Sequence, residues 1–169
     1  DPVADGPTIQ EASQRALEAG FSLKKAITMV KELRNEGVDT PFVFMTYYNP
    51  VFCYGLEKFA IDAKNAGVNG VIIPDLPPEE ADELYVYTKD NDIDLIFLLA
   101  PTMTEERLKM VKEKATGFIY FVSVAGVTGA RKSVNTKLPE LVSKVKDSTK
   151  VPVGVGFGVS SRSQVEEIN

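Results

Sequence analysis

Two loops carry the residue types that bind and transform a small ligand. The run Phe118-Ile119-Tyr120-Phe121-Val122 has no polar alternation, as a strand covered on both faces requires, and it empties into Ser123-Val124-Ala125-Gly126-Val127-Thr128-Gly129-Ala130-Arg131. Gly126 and Gly129 let backbone N–H groups approach a ligand that side chains would block, and Thr128 places one hydroxyl between them. The second loop, Gly156-Phe157-Gly158-Val159-Ser160-Ser161, leaves another apolar strand and leads toward a helix. Gly129 and Gly158 are therefore able to present backbone N–H groups to a dianion such as a phosphate, with Arg131 close enough in sequence to assist. The plainer reading of both loops is a tight turn after a core strand. The turn-forming stretch Asp1-Pro2-Val3-Ala4-Asp5-Gly6-Pro7-Thr8 puts the Asp5 carboxylate just ahead of a helix, where an acidic residue suits the helix amino terminus.

What the chain lacks narrows the chemistry further. It has no histidine and one cysteine, Cys53, so imidazole acid–base catalysis, the usual zinc sites and an internal disulfide are all excluded. A lone thiol without an adjacent base reads as inert and fits a reducing, cytoplasmic compartment. The net charge of −5, with lysines scattered along helical faces, is wrong for a nucleic-acid surface. No apolar run approaches the ~20 residues of a membrane span. With 169 residues and 44% hydrophobic content, residues 1–169 read as a single domain or a piece of one, and the opening Asp1-Pro2 has mid-loop character.

The positioning elements alternate. Thr8 and Glu11 form a capping box for a helix stopped by Gly20, and Ser22 caps a second helix with Leu23, Ile27, Val30 and Leu33 as its apolar stripe. Five buried strands follow, around Pro41–Thr46, Gly70–Ile73, Leu95–Ala100, Gly117–Val122 and Val151–Val155. Between them lie helices carrying Leu56, Phe59, Ala60 and Ala63, then a helix opened by Pro78-Glu79-Glu80, then one capped near Thr102 or Thr104 with Leu108 and Val111, then one with Leu138, Leu141 and Val145. Ser161 and Gln164 predict a last capping box. One helix between successive strands forces a parallel sheet, either a doubly wound open sheet or a (β/α)8 barrel. Asn49, Asp75, Thr102, Thr128, Gly156 and Gly158 all fall at carboxyl ends of strands, where ligands bind in both architectures. No Gly-x-Gly-x-x-Gly opens a helix, which argues against a Rossmann dinucleotide site, and five strands are too few to close an eight-stranded barrel.

The string from Asp1 to Gln10, the loop Tyr120-x-x-Ser123-x-x-Gly126-Val127-Thr128-Gly129 and the turn Gly156-Phe157-Gly158-Val159-Ser160 resemble, in order and spacing, the α subunit of tryptophan synthase. Asp75-Leu76-Pro77-Pro78-Glu79-Glu80 and Asn49 with Phe52 look like two further strand exits of that family. The resemblance implies an α/β fold, a (β/α)8 TIM barrel represented here by about five parallel strands. It implies a carbon–carbon lyase that cleaves indole-3-glycerol phosphate to indole and glyceraldehyde 3-phosphate without a cofactor, paired with a β subunit in an α2β2-type assembly.

The same resemblance assigns roles. Asp5, Thr128 and Tyr120 match catalytic positions, with Thr128 reaching the aspartate when its loop closes. Met45, Tyr47, Ile72, Pro74, Leu98 and Phe157 match the wall around the indole; Gly129 and Gly158 match the phosphate site. Asp1, Asn49, Phe52, Asp75 and Pro77 match the surface that meets the β subunit. The family's general acid–base glutamate lies on a strand before Asp1 and its last phosphate loop beyond Asn169, so the 169-residue chain alone is expected to be inactive. Two other readings stay open on sequence: a non-catalytic scaffold for the β subunit, and a different phosphate-binding barrel enzyme.

Overall fold

The computed structural model describes residues 6–122, 138–156, 161–162 and 165–166. Helices α1 (Gly6–Glu18) and α2 (Leu23–Asn35) lead into β1 (Val43–Met45), then α3 (Tyr48–Tyr54), α4 (Leu56–Ala66), β2 (Gly70–Ile72), α5 (Asp82–Asp90) and β3 (Asp94–Ile96). After β4 (Leu98–Leu99) come α6 (Glu105–Lys114), β5 (Ile119–Val122), α7 (Leu138–Ser148) and β6 (Val153–Gly156).

All strand pairs are parallel and each strand pairs with its neighbours in sequence: β1-β2-β3 in one sheet and β4-β5-β6 in the other. β3 and β4 are halves of one run, residues 94–99, interrupted at Phe97, whose carbonyl still accepts from Tyr120 N at 3.0 Å. The strand order never reverses. A doubly wound sheet must reverse at its switch point, so this winding is that of a barrel wall.

Alternation along the strands divides the wall into two faces. Val71, Ile73, Leu95, Phe97, Leu99, Ile119 and Phe121 join the core beneath the helices, with Phe59 and Ala63 of α4, Leu84 of α5, Leu108 and Val111 of α6 and Val142 and Val145 of α7. Phe59 and Phe121 are wholly buried; each side chain of this kind stabilises the fold by about 1.5–3 kcal/mol through apolar burial.

The helix ends follow local chemistry. Ser22 Oγ accepts from Lys25 N at 3.3 Å and Thr104 Oγ1 from Arg107 N at 3.2 Å, so both expected caps form, and Thr104 rather than Thr102 opens α6. Gly67 ends α4 in the left-handed region at φ 90°, donating to Lys64 and Ala63 carbonyls. A side chain there would also collide with Arg34, since a β-carbon on Gly67 would lie 2.8 Å from Arg34 Nε. That arginine spends its donors on backbone at the amino-terminal end of the sheet: Nε and Nη2 reach Gly67 O, Nη1 reaches Val38 O and Thr40 O, and Nη2 also reaches Asn69 Oδ1.

Several expectations are corrected. α1 begins at Gly6, so Thr8 lies inside the first turn and does not cap it. α5 begins at Asp82, and Pro78-Glu79-Glu80 forms a separate turn closed by Glu80 N donating to Pro77 O at 3.0 Å. The strand expected over Pro41–Thr46 is followed directly by a helix the sequence reading did not include, α3, which takes in Asn49 and Pro50. β1 is not covered on both faces: Val43 and Met45 are 40% and 56% exposed, because among the described residues no strand pairs with the outer edge of β1. The expected box at Ser161 and Gln164 falls partly outside the described residues.

Candidate active site

The face of the sheet turned away from the helices carries the candidate ligand wall. Register sets Met45 beside Ile72 and Ile72 beside Ile96, and likewise Leu98 beside Tyr120 and Tyr120 beside Gly154. None of these side chains belongs to the helix-facing core cluster, so Met45, Ile72, Leu98 and Tyr120, singled out separately in sequence, share one apolar surface. Ile96 and Val122 extend that surface and are buried. Sequence reasoning passed over both, although strand periodicity alone could have found them, each lying two residues from a chosen position.

Tyr120 is fitted to this surface by its neighbours. Its ring lies 6.4 Å from that of Phe118, tilted by 44°. Gly156 makes room for it: a β-carbon there would strike Tyr120 Oη and lie 2.6 Å from Cζ. The glycine is thus required by packing against the tyrosine, whatever its loop binds.

At the carboxyl ends of β1 and β2 two loops are joined. Asp75 Oδ1 accepts from Tyr48 N at 2.8 Å, placing a carboxylate at the start of α3, where it meets the positive end of the helix. Tyr47 precedes α3 and is half-buried; Pro74 and Asp75 are exposed in a turn, and Pro77 is half-buried. Phe52 is 58% exposed and leans on Tyr48, ring centroids 5.9 Å apart. Asn49 is exposed, and its Oδ1 accepts from Cys53 Sγ at 3.6 Å. The Tyr48 phenol is held above its ordinary value of 10.0, first by burial and then by the Glu83 and Glu80 carboxylates. Four of the expected partner-facing residues, Asn49 and Phe52 on α3 and Asp75 and Pro77 in the turn after β2, therefore lie on two segments tied by one hydrogen bond. Asp1, Asp5, Thr128, Gly129, Phe157 and Gly158 lie outside the described residues. Among the described residues no group of three or more Asp, Glu and Cys side chains gathers to hold a metal ion.

The family model for the tryptophan synthase alpha chain matches residues 1–169. The chain belongs to the tryptophan synthase alpha chain family. It is 53% identical over 168 residues to the tryptophan synthase alpha chain of Methanocaldococcus jannaschii, covering 99% of this chain and 60% of that one. With the Geobacter sulfurreducens alpha chain it is 48% identical, covering 99% and 63% respectively. Among solved structures, the tryptophan synthase a2b2 complex of Pyrococcus furiosus superposes with a TM-score of 0.88 at 43% identity, covering 99% of this chain and 67% of the matched one. Mycobacterium tuberculosis tryptophan synthase gives 0.88 at 43% identity, covering 99% and 63%. The chain thus spans about three fifths of the length of these curated relatives. The fold is the (β/α)8 barrel of the alpha chain, of which the described residues supply five parallel strand runs.

Proposed function

We propose that the protein containing this chain cleaves the C3–C1′ bond of indole-3-glycerol phosphate, releasing indole and glyceraldehyde 3-phosphate. The observation that carries the reading is the apolar row of Met45, Ile72 and Leu98 ending on Tyr120 at the mouth of an alpha-chain barrel. A flat aromatic ring needs such a wall, with few polar groups, to fix its orientation.

The reaction requires a proton on C3 of the indole, stabilisation of the positive charge that grows on the ring nitrogen, and removal of a proton from the glycerol hydroxyl as the carbon–carbon bond breaks. Asp5 serves the nitrogen: its carboxylate interacts more strongly with the developing cation than with the neutral ring, which lowers the barrier. Thr128 holds Asp5 in that position once its loop has closed, Tyr120 packs against the reacting end, and Phe157 and Tyr47 with Pro74 complete the enclosure. Gly129 and Gly158 hold the phosphate through backbone N–H groups. The proton to C3 comes from the glutamate that the family carries on the strand preceding Asp1. The partner is a β subunit that docks over Asp1, Asn49, Phe52, Asp75 and Pro77 and receives the indole, in the cytoplasm.

Asp5→Asn in the complete subunit tests the assignment. Turnover should fall by roughly two orders of magnitude or more while glycerol phosphate affinity is retained, because the lost interaction is made mainly in the transition state. Indole release near the parent rate would remove Asp5 from the mechanism.

A further inference from the structure

The turn after β2 carries Pro74, Asp75 and Pro77 and has little hydrogen bonding of its own: Leu76 N donates to Ile73 O at 3.1 Å and Glu80 N to Pro77 O at 3.0 Å. Its far side is gripped by α6. Lys114 Nζ donates to Pro78 O at 2.7 Å and pairs with Asp82 Oδ1 at 2.6 Å, with its side chain only 16% exposed. One helix face above, Arg107 Nε donates to Glu79 Oε1 at 3.0 Å. Arg107, Val111 and Lys114 follow one another at helical spacing, so a single stripe of α6 buries Val111 in the core and sets a cation at each end of the turn. A half-buried ammonium with two oxygen partners holds harder than an exposed ion pair, since freeing it leaves the carbonyl and the charge to be resolvated.

We propose that Lys114, assisted by Arg107, is a positioning residue for the partner-facing surface. From α6 it presets residues 74–82, and through the Asp75–Tyr48 hydrogen bond it presets α3, on which Asn49 and Phe52 stand exposed. A preset surface docks without first being ordered, which saves conformational entropy at binding. The inference rests on the reading that this surface meets a β subunit.

The test uses the complete subunit as parent, Lys114→Met, Lys114→Arg and Lys144→Met. Lys144 makes an ion pair to α6 as well, with Glu105, but on the side away from the turn. Lys114→Met should weaken β-subunit binding about tenfold and speed amide hydrogen exchange at Leu76 and Glu80. It should leave β2 amides protected and cleavage without partner within about twofold of the parent. Lys114→Arg should restore affinity, and Lys144→Met should match the parent throughout. Unchanged affinity in Lys114→Met, or exchange that accelerates equally in β2, overturns the proposal; so does an equal loss in Lys144→Met. Should Lys114→Met not fold, Asp82→Ala removes one of the two lysine partners and is held to the same outcomes. A parent subunit that ignores the β subunit would instead bring down the docking reading and this proposal with it, whereas faster turn exchange at full partner affinity removes the positioning role alone.

Discussion

At the amino-terminal end of β1 and β2 a single guanidinium closes the structure, with Arg34 donating to three backbone carbonyls and to Asn69, and its plane lying 4.6 Å over the Phe42 ring. At the carboxyl-terminal end the fastening is distributed: Asp75 joins the turn after β2 to α3 through Tyr48, and Arg107 and Lys114 join α6 to the same turn and to the start of α5 through Glu79, Pro78 and Asp82. The first arrangement holds backbone to backbone and leaves nothing facing out for a ligand. The second holds loops in place while leaving Phe52, Asn49, Pro74 and Asp75 on the surface. In barrels the carboxyl end is where ligands and partners arrive, and here the two ends differ in the kind of bond that secures them.

The comparison breaks first at Arg34. Arg34→Met should destabilise the complete subunit by about 3 kcal/mol, because the part-buried Gly67 and Val38 carbonyls lose their charged donor at once, and leave KM for substrate unchanged; urea unfolding alongside kinetics checks both. A smaller loss, about 1–2 kcal/mol, is expected for Gly67→Ala, which forces a side chain into the left-handed region and against Arg34. An unchanged midpoint in urea would show that Arg34 moves aside at no cost.

At the opposite end the effect should appear in activity. Gly156→Ala displaces the Tyr120 ring and should lower kcat/KM about tenfold, roughly 1.4 kcal/mol, with Tyr120→Leu recovering fold stability but not turnover. The smallest effect belongs to Glu79. Its carboxyl is held below the ordinary value of 4.5, first by its own backbone N–H and then by Arg107. A lowered folded-state pKa contributes stability that is complete above pH 4.5 and disappears as the pH falls below it. Stability curves of the parent and Glu79→Gln should therefore differ slightly near neutrality and converge on acidification; a gap that widens in acid would reverse the sign of the interaction.

The strands were legible because Val71-Ile72-Ile73 and Leu95-Ile96-Phe97-Leu98-Leu99 are apolar without interruption, and nothing but a doubly covered strand tolerates that composition in runs so short. Strand alternation sets Val71 toward the helices and Ile72 away from them; the assignment of the second face to a ligand comes from the resemblance alone, since the two side chains differ in direction and not in type. α3 escaped notice because Asn49-Pro50 is turn chemistry, and what supports the helix lies elsewhere in the chain: the Asp75 carboxylate on Tyr48 N and the core that buries Val51. The delayed start of α5 has a similar cause: Pro78-Glu79-Glu80 suits a first helical turn, yet Lys114, 36 positions away, takes the Pro78 carbonyl and Arg107 takes the Glu79 carboxylate. Local pattern cannot report a bond whose other half lies 28 or 36 positions away. The roles given to Asp5, Thr128, Gly129, Phe157 and Gly158 rest on the resemblance alone, since no periodicity distinguishes them from ordinary turn residues.

The unreversed strand order has a consequence for how such a chain is made. Among the described residues no strand waits for a partner farther along than the next one: β1 meets β2, β2 meets β3, and β4 meets β5 before β6 is needed. Loop closure is therefore short at every step, and each helix can cover its strand pair as soon as the ribosome has delivered it. Along this stretch the order of synthesis and the order of pairing coincide, so the wall is able to grow vectorially, each strand arriving next to the one already placed.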